Sequence, residues 1–195
     1  MPAPALYTIG HSNHAIGRFV ELLRGAGVAA LADVRSTPAS RFCPQFNRKP
    51  LAAALEAAGI GYVYQGDALG GRPRDPALAP GGTPDYEAMA AAPAFQAALD
   101  AVQHEAARRP LALMCAEREP LDCHRVLLVA RRLAGRGLAI RHILADGTLE
   151  GHAATEDRLL ALAGPGDAGL FAPDRAARLA AAYRLRAARR HRVRG

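Results

Sequence analysis

The side chains with the richest chemistry lie together in residues 111–125. This segment begins as an apolar run typical of a buried strand, passes Glu117 and a proline, and resumes with a Cys-His-Arg triplet at the predicted start of a helix. The unpaired backbone N–H groups of a helix start attract anions and lower the pKa of a thiol in the first turn. The sequence therefore predicts a catalytic group made of Cys115, Glu117, Cys123 and His124.

Two kinds of role are open for these residues. In the catalytic hypothesis either thiol is the nucleophile, while Glu117 and His124 transfer protons. In the simpler interpretation the cysteines fill core volume, and Glu117 is a solvated carboxylate or the ion-pair partner of Arg118 or Arg125. Asp122 is predicted to cap the helix and is given no catalytic role.

The remaining chain predicts the elements that position this group. Apolar runs predict strands over 6–10, 28–34, 60–65, 111–116 and 139–144. Helical patterns separate these runs, and loops rich in Gly and Pro are predicted over 37–49 and 66–82. This alternation is typical of an α/β fold, here a single domain over residues 1–165 with a mostly parallel sheet of about five strands flanked by helices. Residues 166–195 are predicted to form a basic extension with a C-terminal Ala/Arg-rich helix.

Ligands of a parallel α/β sheet bind beyond the carboxyl ends of its strands. Guanidinium groups bind phosphate or carboxylate with a two-pronged geometry, and four arginines at this edge therefore predict an anionic ligand. The residues assigned to ligand binding are His11, Ser12, Asp33, Arg35, Ser36, Arg41, Gly70, Gly71, Arg72 and Arg125. The alternatives are that His11 belongs to an ordinary turn and that the two glycines form a simple one.

These residues favour an enzyme acting on a phosphate-bearing or other anionic substrate, with nucleotides and nucleic acids among the candidates. The sequence lacks a phosphate-binding loop, a dinucleotide-binding glycine pattern and a Gly-x-Ser-x-Gly elbow. A metal site made of Cys115, Cys123 and His124, with His11 as a further ligand, is a less favoured alternative, because the chain has no Cys-x-x-Cys pair. No cofactor is predicted, and the expected partner is an anionic small molecule or a nucleic acid.

The net charge of +7 is concentrated at the C-terminus. Residues 175–195 contain eight of the 25 basic residues and no acidic residue, so the rest of the chain has 17 basic against 18 acidic side chains. An arginine-rich tail supplies salt-sensitive affinity for phosphate backbones. A non-catalytic nucleic-acid-binding module is therefore the alternative function, and a solvated helix face that aids solubility is the alternative role of the tail.

The composition predicts a protein of the cytoplasm. The sequence shows neither a run of about 18 apolar residues nor a charged-then-apolar leader, so no membrane contact is expected. Three cysteines, an odd number, fit reduced thiols better than a disulfide framework. The sequence predicts no particular oligomeric state.

Five short motifs resemble the domain of unknown function 488 family in their order and spacing. They are YTIGHS at 7–12, DVRS with Pro38 and Ser40-Arg41 at 33–41, LGGR at 69–72, MCAE at 114–117 and CHR at 123–125. The resemblance covers about residues 6–152 and implies a small α/β domain in a cytoplasmic bacterial protein. It implies no activity, but it supports treating these motifs as one site, with the Ala/Arg tail outside it.

Overall fold

A computed structural model of the chain describes residues 6–164 and 173–192, with side chains described to residue 189. The described chain forms a six-stranded sheet with helices on both faces. The strands are β1 Leu6–Gly10, β2 Ala30–Asp33, β3 Gly61–Tyr64, β4 Leu111–Cys115, β5 Ile140–Ile143 and β6 Leu149–Gly151. The helices are α1 Ile16–Gly25, α2 Arg48–Ala57, α3 Gly66–Leu69, α4 Tyr86–Ala91, α5 Pro93–Arg108, α6 Arg131–Gly135, α7 His152–Ala163 and α8 Arg175–Arg192.

The strands lie in the order β3-β2-β4-β1-β5-β6, and every neighbouring pair is parallel except β5 with β6. The predicted α/β fold with a mostly parallel sheet is confirmed. The expected strand number omitted β6, an edge strand of three residues whose exposed positions give no apolar run. The loop predicted over 66–82 concealed α3, because a single helical turn is too short to show a helical period.

Apolar side chains cover both faces of the sheet. On one face α1 and α2 pack Phe19, Leu23, Leu51 and Leu55 against the strands. On the other face α5 contributes Leu99, together with residues of α4, α6, α7 and α8. Because both faces are covered, the central strand β4 is buried at every position, which is why it is visible in the sequence as a continuous apolar run.

β1 and β4 form the central pair of the sheet, and their register brings Gly10 level with Cys115. The chain leaves β1 toward the face covered by α1 and leaves β4 toward the opposite face. Open α/β sheets bind ligands in the crevice that forms where neighbouring strands send their connections in opposite directions. The fold therefore favours a site at the carboxyl ends of β1 and β4.

The helix after β4 begins later than the sequence pattern predicts. Pro120–Asp122 is a separate 3₁₀ turn, capped by the carboxylate of Glu119. Cys123 follows with an extended backbone (φ −129°, ψ 138°), and helical structure starts at His124. The prediction that Asp122 caps this helix is therefore wrong, because the proline starts a turn of its own that Asp122 ends.

Helix α8 packs against the body of the protein. Ala182 and Tyr183 are buried, and the guanidinium of Arg186 donates to the carbonyl of Leu121 and to the carboxylate of Asp122. The predicted Ala/Arg-rich C-terminal helix is thus confirmed, whereas the predicted boundary between residues 165 and 166 lies outside the described residues. In the described ranges no helix has the length and apolar character needed to cross a membrane.

Candidate active site

A pocket of about 280 Å³ opens at the carboxyl ends of β1, β2 and β4. Four separate parts of the sequence line it: His11, Arg35, Ser36, Thr37, Ala39, Ser40, Gly71, Arg72, Cys115, Ala116, Glu117 and His124. The pocket coincides with the crevice that the sheet topology favours, and its wall combines hydroxyl, guanidinium, carboxyl, thiol and imidazole groups. A concave site with several convergent polar groups is the usual form of a small-molecule binding site.

Four reactive atoms converge at one wall of this pocket. The Sγ atoms of Cys115 and Cys123 lie 2.8 and 3.0 Å from the same oxygen, Oε2 of Glu117. Nδ1 of His124 lies 3.5 Å from Sγ of Cys115 and 3.9 Å from Sγ of Cys123. All four atoms lie within 4.8 Å of one another. The structure thus brings the four residues predicted as catalytic into one group, which we call the Cys/Glu/His cluster.

A backbone carbonyl fixes the imidazole of His124. Its Nε2 lies 2.8 Å from the oxygen of Val34, the residue that follows β2. Because a carbonyl oxygen only accepts hydrogen bonds, Nε2 carries a proton, and in the neutral ring Nδ1 presents its lone pair to the two sulfurs. Gly71 packs against this ring so closely that a Cβ there would lie 2.6 Å from Cγ of His124. The second glycine of the LGGR motif is therefore a packing requirement of the cluster.

Cys123 stands at the start of a π-helical segment, Arg125–Ala130, that continues into α6. Its Sγ accepts the backbone N–H of Arg125 at 3.4 Å, so the thiol takes the capping position that the sequence assigned to another residue. The fully buried guanidinium of Arg125 turns back and donates to the carbonyls of Glu117 (2.6 Å) and Arg118 (3.3 Å). Arg125 therefore holds the loop that carries the cluster carboxylate.

The end of β1 shapes the same loop. The backbone N–H groups of His11 and Ser12 donate to the carbonyls of Cys115 (2.8 Å) and Ala116 (2.9 Å), which extends the β1–β4 pairing past the last strand residues. A Cβ at Gly10 would lie 1.8 Å from the backbone oxygen of Glu117. Only glycine lets the loop cross β1 at this distance.

The two thiols differ in acidity. Burial raises the pKa of Cys115 well above its ordinary value, and its contacts with Cys123 and Glu117 add to the effect. Burial also opposes ionisation of Cys123, but the hydrogen bond with Cys115 and the positive charge of Arg125 outweigh it and lower the pKa of Cys123. Of the pair, only Cys115 lines the pocket.

Arg35 is held by an acidic partner instead of facing the pocket with a free charge. Its Nε and Nη2 donate to the two carboxylate oxygens of Asp33 at 2.9 and 2.6 Å, and both side chains are buried. Nη1 lies 3.2 Å from Nε2 of His11, whose Nδ1 donates to the carbonyl of Ser12. Burial lowers the pKa of His11 to about 4, so this imidazole is neutral and fully hydrogen bonded.

The structure separates the predicted ligand-binding residues into two groups. Those in the pocket wall are His11, Arg35, Ser36, Gly71 and Arg72. Those outside it are Ser12, Asp33, Arg41, Gly70 and Arg125, which support the wall or, for Arg41, lie over the exposed ring of Phe42. The site residues assigned from the sequence omitted Thr37, Ala39, Ser40 and Ala116, although Ser40 and Ala116 stand in motifs that carry the family resemblance. Thr37 stood in a loop without periodicity, where only its proximity to Arg35 was a signal.

Comparison with known families identifies this arrangement of motifs. The profile of the family described as "Domain of unknown function DUF488" matches residues 15–132, which is more than half of the chain. The match includes the Cys/Glu/His cluster and the pocket loops after β2 and β3, and it begins after the YTIGHS motif. Searches of curated proteins and of solved structures gave no match.

Proposed function

The chain belongs to the family described as "Domain of unknown function DUF488", and, because that description carries no activity, we propose from the site itself that the protein is an enzyme that hydrolyses a small anionic substrate in the pocket. The observation that carries this proposal is the place of Glu117. Its carboxylate lines the pocket and lies within 3.0 Å of both cluster thiols. A carboxylate at the edge of a buried reactive group is well placed to transfer protons.

Arg72 is the group that we propose for the negative charge of the substrate. Its exposed side chain lines the pocket, and its backbone N–H donates to Oγ of Ser36 at 2.9 Å, which fixes the loop. The guanidinium of Arg35 is already paired with Asp33, so it orders the wall. The proposal therefore narrows the expected four-arginine site to one arginine, assisted by neighbouring hydroxyl groups, and it suits one phosphate or carboxylate group.

Water is the nucleophile that the packing favours. Cys123 is completely buried and is not part of the pocket wall, and Cys115 directs its sulfur toward Glu117. Both thiols are therefore engaged inside the cluster. A water molecule in the pocket, in contrast, can approach the carboxylate of Glu117 from the open side.

The proposed reaction uses Glu117 twice. It accepts a proton from water while the water oxygen forms a bond to the electrophilic atom of the substrate. The bond to the leaving oxygen then breaks, and this oxygen takes the proton from Glu117, so that an ester and water yield an acid and an alcohol. A positioned general acid or base of this kind contributes about 10²–10⁴-fold to the rate.

Chromogenic esters test the proposal on the purified full-length protein. We expect turnover of p-nitrophenyl phosphate or bis(p-nitrophenyl) phosphate in preference to neutral p-nitrophenyl acetate. Glu117→Gln should lower kcat by about 10²–10⁴-fold, because the amide accepts no proton. Glu56→Gln, an exposed carboxylate on α2, is the matched control and should keep the wild-type rate.

The binding role of Arg72 has its own readout. Arg72→Gln should raise KM for the anionic ester by about tenfold or more, since a hydrogen bond to a charged group contributes about 1.5–3 kcal/mol. Arg108→Gln, exposed at the end of α5, should leave KM unchanged. Equal KM values in both variants and the wild type, or turnover insensitive to Glu117→Gln, would contradict the proposal.

A cytoplasmic location is part of the same proposal. The cysteines Cys43, Cys115 and Cys123 are all free, and two of them are buried beside a carboxylate. The site depends on these thiols remaining reduced. A reducing compartment is where such thiols persist.

A further inference from the structure

We propose that Cys115, Glu117, Cys123 and His124 form a zinc site at the wall of the pocket. The proposal rests on the proposed function, because the ion would serve the same hydrolytic reaction. It would hold a soft divalent cation by two sulfurs, one imidazole nitrogen and one carboxylate oxygen, a donor set typical of Zn²⁺. The sequence alone made a metal site the less favoured alternative.

The cluster has fewer donor protons than close contacts. Each sulfur lies close to both Oε2 of Glu117 and Nδ1 of His124, which makes four close contacts. With the imidazole proton on Nε2, the two sulfurs donate at most one proton each to these contacts. At least two contacts therefore join lone pairs. A cation at the centre of the four atoms satisfies all of them together.

The distances fit one ion. With Zn–S bonds of about 2.3 Å and Zn–N or Zn–O bonds of about 2.0–2.1 Å, two ligands of a tetrahedral zinc ion lie about 3.4–3.8 Å apart. The distances from Nδ1 of His124 to the sulfurs are 3.5 and 3.9 Å, and a pair at the 4.8 Å limit of the cluster would draw together by about 1 Å. The contacts of Oε2 with the sulfurs, at 2.8 and 3.0 Å, would lengthen by less than about 1 Å to reach this geometry.

The surroundings orient the ligands as they do in metal sites. A zinc-ligating histidine usually donates its other ring N–H to a carbonyl or carboxylate, and His124 donates to the carbonyl of Val34 at 2.8 Å. Sγ of Cys123 is further held by the backbone N–H of Arg125. The ligands lie at a strand end, in a loop and at a helix start, and Gly71 packs closely against the imidazole.

The charges also balance. Two thiolates and one carboxylate exceed the charge of Zn²⁺ by a single negative charge. Arg125, fully buried and bonded to the backbone carbonyl of Glu117, supplies one positive charge beside them. A neutral buried group avoids the large cost of an uncompensated charge in the interior.

The four ligands differ in how exposed they are to solvent. Cys115, Cys123 and His124 are buried, whereas Glu117 is partly exposed at the pocket wall. Three fixed protein ligands with an exchangeable fourth position are characteristic of catalytic zinc sites, and two Cys with one His is a known set of this kind. In the position that Glu117 leaves, the ion would supply a water molecule of lowered pKa, and the released carboxylate would accept its proton.

The experiment is metal analysis of the full chain, purified without chelator and incubated with zinc before desalting. We expect about one zinc per chain in the wild type, as for a site with four protein ligands. Cys43→Ser is the matched control, because Cys43 is the one cysteine outside the cluster, and it should retain the wild-type zinc content. Cys115→Ser and Cys123→Ser should each weaken zinc binding by about 10- to 100-fold or more.

A second measurement keeps the test valid if a serine variant fails to fold. Replacement of zinc by Co²⁺ in the wild-type protein should produce thiolate-to-cobalt charge-transfer absorption, and Cys43→Ser should show the same absorption. Substoichiometric zinc in the reconstituted wild type, together with no thiolate-to-cobalt absorption after Co²⁺ loading, would overturn the zinc site.

Failure of the zinc site and failure of the proposed function give different results. Ester hydrolysis that depends on Glu117, in a wild-type protein that retains only substoichiometric zinc after reconstitution, overturns the zinc site and leaves the enzyme intact. Stoichiometric zinc in a protein whose chromogenic ester hydrolysis is absent or independent of Arg72 supports the zinc site and contradicts the proposed hydrolysis.

Discussion

At His124 one backbone hydrogen bond determines what the side chain can do. The carbonyl of Val34 takes the Nε2 proton, so Nδ1 is left as a lone-pair donor beside two sulfurs. His11 shows the contrast within the same pocket, because both of its ring nitrogens are already hydrogen bonded. The two histidines of this pocket thus differ in chemistry because their hydrogen-bond partners differ. The sequence does not show these partners.

The hydrogen bonds of Arg125 predict how a substitution there changes stability. Its fork donates to two successive backbone carbonyls, those of Glu117 and Arg118, and lysine keeps the charge but cannot reproduce this planar geometry. Arg125→Lys should therefore lower the free energy of unfolding by about 1.5–3 kcal/mol. Urea denaturation measures the loss. Arg132→Lys, a partly exposed arginine that pairs with Glu87, should cost no more than about 1 kcal/mol.

An Arg125→Lys variant as stable as the wild type would contradict this interpretation of the buried guanidinium. It would mean that charge alone, without the two-carbonyl contact, holds the loop. The zinc content of the same variant separates stability from ligand positioning, because Arg125 is outside the proposed ligand set.

At the scale of elements, glycines decide how closely the loops approach one another. A methyl group at Gly71 would press on the imidazole of His124 at 2.6 Å, whereas Gly17 in α1 has no atom within 4 Å of an added Cβ. Gly71→Ala should therefore displace the ring and weaken zinc binding by about 10- to 100-fold without removing a ligand. Gly17→Ala should leave zinc binding unchanged and stabilise α1 by about 0.5–1 kcal/mol.

Zinc titration of both glycine variants with a competing chromophoric chelator is the measurement. If Gly71→Ala binds zinc as tightly as Gly17→Ala does, the loop after α3 does not position His124. The outcome does not depend on turnover, so it tests the packing by itself.

The elements also show how far the sequence could predict this protein. The apolar runs of β1, β2 and β4 were readable because both sheet faces are covered, and the rim position of Cys115 followed from them. The helix start was misplaced because Pro120 begins a 3₁₀ turn, and local capping rules cannot show which of two acidic residues is used. The pairing of Arg35 with Asp33 was equally hidden, since residue types at an edge do not reveal which charges neutralise each other.

At the scale of the whole molecule, a buried chain of polar groups joins the sheet to the C-terminal helix. Thr8 Oγ1 lies 2.8 Å from Nδ1 of His142, whose Nε2 lies 3.0 Å from Nδ1 of His152. Nε2 of His152 lies 3.3 Å from the hydroxyl of Tyr183 in α8, which donates to Glu156 at 3.1 Å. Each group donates one proton to the next, so both imidazoles must be neutral.

This series of buried hydrogen bonds predicts how the free energy of unfolding depends on pH. Burial lowers the pKa of His142 to about 3 and also lowers the pKa of His152. As pH falls below about 6.5, these histidines therefore bind protons in the unfolded chain but not in the folded protein. The stabilisation is complete above pH 6.5 and is lost as pH falls from 6.5 toward 3, by at most about 1.4 kcal/mol per pH unit for each histidine.

Urea denaturation at several pH values checks the prediction. His152→Gln removes one of the two groups and should lose less stability than the wild type between pH 6.5 and about 5. His104→Gln, exposed on α5, should follow the wild-type profile. A wild-type stability that stays level or rises over this interval would show that the two imidazoles accept protons in the folded state.

The arginine-rich tail makes more contacts with the body of the protein than its composition suggests. In the described part of α8, Arg175 pairs with Asp157 and Arg186 pairs with Asp122, while Tyr183 is buried against the body. Two of its charges are therefore paired with carboxylates of the body. Arg186 contacts the turn that immediately precedes Cys123, so docking of α8 and the geometry of the cluster share one loop.

Zinc K-edge X-ray absorption of the reconstituted full-length protein identifies the atoms that bind the metal ion. Binding by Cys115, Glu117, Cys123 and His124 predicts two sulfur neighbours at about 2.3 Å and two nitrogen or oxygen neighbours at about 2.0–2.1 Å, with imidazole outer-shell scattering. The Cys43→Ser control should give the same spectrum. A first shell of oxygen and nitrogen only, without sulfur, would show that zinc does not bind at the Cys/Glu/His cluster.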